Sequence, residues 1–374
     1  MSIYLDYQAT TPVDPVVLGA MQPYWDSNFA NPHSEHRQGW QAAAAVDIAR
    51  GQVADVADVS PDWVVFTSGA TEANNLALKG VMQAAAPERN RLITAATEHS
   101  CVLESAYWLE KQGFALTVLP VQADGLLDPA VVEAALDEDV ALISVMAVNN
   151  EIGVIQPLTA IGELAKRAGA LFHSDAAQGF GKIPLNIEAM QIDLLSVSGH
   201  KIYAPKGVGA LIRNPEIALT PQMHGGGQEA DGLRSGTLAP ALIAGLGKAS
   251  VVALEQMDAD QRKATAQMRI MMSLLPQPYE INGSKEARWP GNLNMTFPGI
   301  DGARLISDLR RLSISSGAAC ASAAGRSSHV LAALGMSKAE AAATLRMGWG
   351  RFTTDMEIRE AGKMIADAVA VQRS

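Results

Sequence analysis

The stretch that decides the fold is Asp193-Leu-Leu-Ser-Val-Ser-Gly-His-Lys201-Ile-Tyr-Ala-Pro-Lys-Gly-Val-Gly209. Its apolar beginning predicts a buried β-strand, and Ser198, His200 and Lys201 follow where that strand ends. A lysine beside the end of an apolar strand is partly removed from water, which favours its neutral, nucleophilic form. Ser198 and His200 add a hydroxyl and an imidazole, which suit a phosphate group. The stretch predicts a reactive lysine beside an anion site; taken alone, it also fits a surface lysine in a turn.

Composition places the chain among globular enzymes. Its 374 residues are 48% apolar and 18% charged, which is enough for a large core and unlike a disordered chain. The net charge is −10, from 29 basic and 39 acidic residues, and no long basic run is present. This composition argues against nucleic acid as a partner.

Cysteine usage and hydropathy narrow the class further. Cys101 and Cys320 are the two cysteines, too few for a disulfide scaffold and without the spacing of a zinc site. The N-terminus has no signal-peptide pattern. The longest apolar runs fall well short of the roughly 18 residues that a membrane span needs. We expect a cytoplasmic protein with no metal and no membrane contact.

Beyond residue 60, short apolar strands alternate with helical patterns. The predicted strands are 63–67, 91–95, 115–119, 140–148, 170–174 and 193–197, and the predicted helices are 71–83, 100–111, 129–136 and 158–168. Such alternation requires crossover connections and predicts an α/β fold with a mostly parallel sheet. A long helix, 245–275, leads to a further strand (292–297), helix (301–311) and strand (312–316). We divide the chain into an N-terminal arm (1–14), a large domain (15–255) and a smaller α/β C-terminal domain (256–374).

Polar clusters follow five of the predicted strands. They are Ser68–Thr71, Thr97–His99, Asn149–Glu151, Asp175–Gln178 and Ser198–Lys201. Because the carboxyl ends of parallel strands meet at one edge of a sheet, these clusters should line one crevice, where ligands of open α/β sheets bind.

The chemistry of the clusters points to a charged, planar ligand. Backbone N–H groups at Ala70 and Thr71, where a strand turns into a helix, can hold a phosphate, although a simple helix cap fits as well. Asp175 follows an apolar strand, where an unpaired anion is costly, so a cationic ring nitrogen would suit it; a surface turn is the alternative. Gln178 can bond a ring oxygen, and His99 can stack on a ring or relay a proton, unless it is only structural.

Arg346 lies in the segment Leu345-Arg-Met-Gly-Trp-Gly-Arg351 and can make a bidentate clamp on a carboxylate, although a solvated arginine fits too. A reactive lysine, an acidic partner for a pyridine nitrogen, a phosphate cup and a carboxylate clamp together describe a pyridoxal 5′-phosphate (PLP) site.

The motifs that carry these residues resemble the cysteine desulfurases of the class V, fold-type I PLP-dependent transferases, in the housekeeping iron–sulfur and nitrogen-fixation branch. They span the chain in order: Tyr4–Pro12, Thr67–Asn75, Thr97–His99, Asn149–Gly153, His173–Gln178, Ser198–Lys201, His224–Gly227, Arg234–Thr237, Ser315–Cys320 and Leu345–Arg346. The resemblance implies a homodimeric enzyme that converts L-cysteine to L-alanine and leaves the sulfur on Cys320 as a persulfide, for an acceptor in iron–sulfur cluster assembly or thiolation.

The resemblance also implies roles for single residues. Lys201 would bind PLP covalently and move protons, and Cys320 would be the sulfur-accepting nucleophile, in a loop of small residues. The cofactor would further be held by Ala70, Thr71, His99, Asp175, Gln178, Ser198, His200 and, from the partner subunit, Thr237. Asn150 and Arg346 would bind the carboxylate of the substrate. For Cys101 we favour a structural role as a small core residue.

Two rival functions stay open from the sequence. Another class V activity, such as a selenocysteine lyase or an aminotransferase, would not require a cysteine in the 315–328 loop. A non-enzymatic scaffold with a degenerate PLP fold is a second rival, against which the intact Lys201, Asp175 and Cys320 speak. The housekeeping desulfurases also carry a C-terminal tail that contacts the iron–sulfur scaffold protein, whereas this sequence stops at Ser374, soon after its last helix. We therefore expect an altered choice of sulfur acceptor.

Overall fold

The computed structural model describes residues 2–316 and 328–374. Its helices are α1 Pro15–Met21, α2 Pro23–Asp26, α3 Arg37–Ala57, α4 Ala70–Ala84, α5 Ser100–Lys111, α6 Pro129–Ala135, α7 Leu158–Ala168, α8 Pro240–Leu274, α9 Gly302–Asp308, α10 His329–Ala333, α11 Lys338–Ala342 and α12 Asp355–Arg373. Its strands are β1 Ile3–Tyr4, β2 Val64–Thr67, β3 Arg91–Ala95, β4 Ala115–Leu119, β5 Val140–Ser144, β6 Leu171–Asp175, β7 Leu194–Ser198, β8 Gly209–Arg213, β9 Glu280–Ile281, β10 Asn292–Thr296, β11 Leu312–Ser313, β12 Ser315–Ser316 and β13 Thr344–Gly348. The predicted bounds of β3, β4, α5 and α7 are confirmed.

Within the described residues, seven strands form the large sheet in the order β2-β8-β7-β6-β5-β3-β4. The pairs from β4 to β7 are parallel, and β8 is antiparallel to both of its neighbours, so β2 runs in the same direction as β7. The mostly parallel α/β fold predicted from the sequence is therefore confirmed. Its consequence for function is that β2, β3, β5, β6 and β7 all end at one edge.

The strands of this sheet are apolar on both faces because helices cover both faces. Every residue of β2, β5 and β7 is buried, as expected for parallel strands inside an α/β fold. α7 shows how a covering helix is specified: Leu158, Ile161 and Leu164 form its buried stripe, and Gly169 ends it with a φ of 65°, where a side chain would be strained.

The C-terminal part of the chain forms a second, antiparallel sheet of order β12-β13-β10-β9, counted over the described residues. Capping boxes at Ser337 and Thr354 start α11 and α12. Residue 255, where we divide the chain, lies inside the 35-residue helix α8. The division itself stays a prediction, and one continuous helix runs across it.

Two predicted strands differ from the structure. The strand expected over 140–148 ends at Ser144, although Val145 and Ala147 still donate hydrogen bonds to carbonyls of β6. The strand expected over 312–316 is two short strands that pair with different partners, because β11 joins β1 of the N-terminal arm whereas β12 joins β13. This change of partner ties the arm to the C-terminal sheet. Among the described residues, no helix is long and apolar enough to cross a membrane.

Candidate active site

A cavity of about 620 Å³ opens at the edge where the parallel strands end. It is lined by all but two of the predicted site residues, namely Ala70, Thr71, His99, Asn150, Asp175, Gln178, Ser198, His200, Lys201 and Arg346. Thr237 is exposed and does not line the cavity. Cys320 lies outside the described residues. Within those residues, no group of three or more His, Cys, Asp or Glu side chains is placed to hold a metal ion.

One wall of the cavity is the amino end of α4. No side chain among the described residues caps this 15-residue helix, so its first N–H groups have no side-chain partner there. The turn at Gly69 packs closely on β8, because a Cβ atom at Gly209 would come within 2.6 Å of the Gly69 Cα. An uncapped helix start of this kind fits a phosphate.

His200 stands beside this anion site, with its Nδ1 3.1 Å from Thr10 Oγ1. Burial, followed by the positive charges of Lys201, Lys206 and Lys182, lowers the pKa of His200 to about 4. The ring is therefore neutral near pH 7 and serves as a hydrogen-bonding group, while the positive charge at this site comes from the lysines.

Asp175 ends β6 at the floor of the cavity and is 4% exposed. Asn74 Nδ2 donates to its Oδ2 at 2.7 Å, and the backbone N–H of Ala177 donates to its Oδ1 at 2.9 Å. Both donors are neutral, so they orient the carboxylate of Asp175 but do not neutralise its charge. A cationic ring nitrogen is the partner that such a buried carboxylate favours. Asn74 is a site residue that the sequence analysis quoted only as part of a motif.

His99 caps α5 and reaches the same floor. Its Nδ1 accepts the N–H of Cys101 at 3.2 Å and lies 3.0 Å from the Cys101 Sγ. Because Nδ1 accepts, a neutral His99 carries its proton on Nε2. Burial lowers the pKa of His99, and the nearby Asp175 only partly opposes this effect. The ring is thus held as one neutral tautomer.

Cys101 lines the cavity, so the structural role that we favoured for it describes its position incompletely. Asn74 Nδ2 lies 3.1 Å from its sulfur. Burial, together with the negative charge of Asp175, raises the pKa of the Cys101 thiol to about 12. The thiol is protonated at neutral pH and is a poor nucleophile.

Lys201 ends the short 3₁₀ turn Gly199–Lys201 that follows β7. Its Nζ donates to the backbone carbonyls of Gln8 and Ala9 in the N-terminal arm. Gln178 Nε2 donates to the same Gln8 carbonyl at 2.9 Å. The N-terminal arm, which carries the motif Tyr4–Pro12 but no predicted site residue, forms a wall of the site, with Asp6, Gln8 and Ala9 lining the cavity.

Arg346 enters the cavity from β13 and is 3% exposed. Its Nη2 donates to Asp6 Oδ1 at 2.7 Å and to Ser315 Oγ at 3.2 Å, and its Nη1 lies 3.4 Å from the carbonyl oxygen of Asn150. Its Nε is buried and has no hydrogen-bond partner in the described part of the chain. A buried guanidinium with an unused N–H group is a ready site for a carboxylate.

Comparisons with known proteins agree with this geometry. Residues 3–360 match the family model of the class-V aminotransferases. The chain is 45% identical over 375 residues to the cysteine desulfurase IscS of Rickettsia bellii, covering 99% of this chain and 91% of that protein. Among solved structures, a NifS-like protein matches with a TM-score of 0.93 and 33% identity, over 99% of this chain and 100% of that one. SspA in complex with cysteine matches with a TM-score of 0.85 and 39% identity, over 95% and 100%.

A parallel sheet with a lysine, a buried aspartate and an anion site at its carboxyl edge defines a PLP-dependent enzyme of the α/β class. The chain belongs to the aminotransferase class-V family. Within that family, the relatives that it matches over nearly its whole length are cysteine desulfurases.

Proposed function

We propose that the cavity converts L-cysteine to L-alanine and passes the sulfur to Cys320 as a persulfide. The chain is a PLP-dependent cysteine desulfurase, as its curated relatives are, and SspA, a similar protein, has been solved in complex with cysteine. The observation that carries the choice of substrate is Arg346, which lines the cavity and whose buried Nε has no partner among the described residues. That N–H group suits the carboxylate of an amino acid.

The residues of the cavity fit PLP. Lys201 would hold the cofactor covalently, Asp175 would pair with its ring nitrogen, Gln178 with its ring oxygen, and His99 would stack on the ring. The phosphate would lie at the uncapped start of α4, held by Ala70, Thr71, Ser198 and His200. Once bound, PLP supplies an electron sink that makes the Cα proton of the substrate acidic.

The protein's own residues then divide the work. Arg346 and Asn150 hold the substrate carboxylate, and the Nζ of Lys201 takes and returns the proton at Cα. The Cys320 thiolate attacks the substrate sulfur, so that an S–S bond forms as the C–S bond breaks and the electron pair of that bond stays on the carbon, which is protonated to give alanine. Of the described residues on either side of the Cys320 segment, Ser315 lines the cavity, and the Ser328 hydroxyl donates to Glu151, beside Asn150, at 2.6 Å.

The proposed enzyme is a homodimer. Thr237 is exposed and does not line the cavity of its own subunit, so it is free to complete the phosphate site of the second subunit. A sulfur-acceptor protein, in iron–sulfur assembly or thiolation, would receive the persulfide. Light scattering should give twice the mass of one chain; a monomer with full PLP occupancy and turnover would contradict the dimer. The cytoplasmic location predicted from the sequence stays a prediction.

Mass spectrometry of the cysteine-treated enzyme tests the desulfurase directly. After L-cysteine is added without a keto acid, the peptide of Cys320 should gain one sulfur atom while alanine is released. Cys320→Ala should still bind PLP and respond spectrally to L-cysteine, whereas alanine release should fall by about 100-fold or more because the nucleophile is missing. Alanine formed by Cys320→Ala at the unmodified rate would contradict the proposal and favour the selenocysteine lyase alternative, whereas no alanine in the absence of a keto acid would favour the aminotransferase. Sulfur on Cys101 instead would show that the persulfide is assigned to the wrong cysteine.

A further inference from the structure

Lys182 is a charged residue near the site to which neither the sequence motifs nor the proposed reaction gives a role. It follows Gln178 by four positions in a turn closed by the bonds from Phe180 N–H to the Ala176 carbonyl (2.8 Å) and from Ile183 N–H to the Gly179 carbonyl (3.0 Å). This helix-like spacing brings the two side chains to the same side of the turn. Lys182 Nζ donates to Gln178 Oε1 at 3.0 Å.

The partners of Lys182 are few. Gln178 is its one hydrogen-bond acceptor within residues 2–316 and 328–374, and no ion pair in that part of the chain includes it. The small cavity that it lines also contains the charged Asp260 and Arg351, which pair with each other at 2.8 Å. Burial, followed by the positive charge of Lys201, lowers the pKa of Lys182 to about 7. A buried cation without a carboxylate partner is costly, which argues for a use.

A lysine beside a glutamine fixes the amide's orientation. The ammonium group of lysine only donates, so the Gln178 oxygen must face Lys182. The Gln178 Nε2 group must then point the other way, where one of its two hydrogens reaches the Gln8 carbonyl at 2.9 Å. Its second hydrogen is left for the main cavity, which Gln178 lines. Without Lys182, the Gln8 carbonyl alone would hold the Gln178 amide in this orientation.

We infer that Lys182 is a positioning residue that holds Gln178 with its amide nitrogen toward the cofactor, so that Gln178 donates to the negatively charged ring oxygen. This inference rests on the proposed function, because it requires the ring of PLP beside Gln178. Lys182 acts through Gln178 and does not itself touch the cofactor.

The test is a pH titration of the visible absorbance of the purified holoenzyme. The midpoint of this titration is the pKa of the proton that the Lys201 nitrogen and the ring oxygen share in the holoenzyme. When the negative charge on the ring oxygen is less stabilised, this proton is bound more tightly and the midpoint rises. Lys182→Met should therefore raise the midpoint by about half a pH unit or more. Lys182→Arg, which keeps the charge and the donors, should titrate like the unmodified enzyme.

Lys166→Met is the matched control, since Lys166 donates to Gln191 Oε1 at 2.6 Å in an equivalent but exposed pair, away from the cavity. It should leave the midpoint unchanged. Gln178→Ala should raise the midpoint, and adding Lys182→Met to it should raise it no further, because Lys182 acts through Gln178.

Additive shifts in the double variant, or a Lys182→Met midpoint equal to that of the control, would overturn the inference while leaving the proposed function intact. A purified protein that binds no PLP would contradict the proposed function itself. Should Lys182→Met not fold, Lys182→Leu replaces it, because it also removes both the charge and every side-chain hydrogen-bond donor. With that variant, a shift equal to that of Gln178→Ala supports the inference, and an unshifted midpoint contradicts it.

Discussion

The two ends of the cavity are built in different ways. The sheet end, formed by Thr71, Asp175, Ser198 and Lys201, consists of residues that follow strands of one parallel sheet. The arm end, formed by Asp6, Asn150, Ser315 and Arg346, is assembled from the N-terminal arm, a loop of the large sheet and two strands of the second sheet. The sheet end is fixed by backbone topology, whereas the arm end depends on side-chain contacts between segments far apart in the chain.

The two ends also differ in how completely their charged side chains are hydrogen-bonded. At the sheet end, Asp175 is held on both oxygens by Asn74 and Ala177. At the arm end, Arg346 is held on Nη2 by Asp6 but keeps a buried Nε without a partner in the described residues. The side chains of the sheet end are therefore already held in place, as suits a bound cofactor. The arm end keeps an unpaired donor, as suits a substrate that binds and leaves in each turnover.

The largest effect is expected from removing Lys201 at the sheet end. Lys201→Ala should lower alanine production on the order of 1000-fold or more, because the covalent anchor and the proton carrier are both lost. Borohydride treatment of the unmodified protein should fix the cofactor on the peptide of Lys201. Fixation on Lys206, which also lines the cavity, would show that the sheet end is assigned to the wrong lysine.

A change at the arm end should act on binding. Arg346→Lys keeps the charge but loses the planar fork of donors, so KM for L-cysteine should rise about 10- to 100-fold. PLP content should stay unchanged, because Arg346 is not at the sheet end. Arg304→Lys, an exposed arginine on α9, is the matched control in the steady-state assay. Loss of PLP from Arg346→Lys would show that the two ends are not separable.

The acidic partner of Arg346 should matter less. Asp6→Asn keeps the size of the side chain but removes its charge from a pair that is partly exposed on the Asp6 side. We expect a change in KM of about two- to ten-fold, because such a pair contributes modestly. The KM should rise if Asp6 mainly orients the guanidinium and fall if it mainly competes with the substrate carboxylate; an unchanged value would mean that Asp6 does neither.

An effect of a different kind, on stability and not on activity, is expected beneath the sheet end. His173 is fully buried in β6, bonded to the hydroxyls of Ser144 and Ser196, and burial lowers its pKa to about 3. Below pH 6.5, the ordinary pKa of histidine, His173 binds a proton in the unfolded chain but stays neutral in the folded protein. Stability should therefore fall as the pH drops from 6.5 toward 3, by about 1.4 kcal/mol per pH unit for this group.

Urea unfolding between pH 7.5 and 5 measures this slope. His173→Gln should be less stable overall but should lose less stability on acidification, because it has no proton to take up. His33→Gln, at an exposed histidine, should keep the slope of the unmodified protein. Equal slopes in all three proteins would show that His173 is not the group responsible.

Much of the sheet end could be predicted from the sequence. Alternating strands and helices predict a parallel sheet, and in such a sheet the strand ends converge, so polar residues after β2, β3, β5, β6 and β7 had to meet. Local signals also sufficed for α7, with its apolar stripe and Gly169, and for the two capping boxes. These predictions succeed because each depends on residues close together in the chain.

The tertiary structure alone decided the arm end and the supporting contacts. Nothing near Asp6 in the sequence shows that it meets Arg346, 340 positions later. The link between Lys182 and Gln178 is local, but its meaning appears only when Gln8 closes the other side of the amide. Cys101 likewise carries no local sign that its thiol lies against Asn74, 27 positions earlier. The sequence determines which chemistry is present because residue types and strand ends are local properties. Only the fold decides which side chains hold that chemistry in place, because their partners come from distant segments.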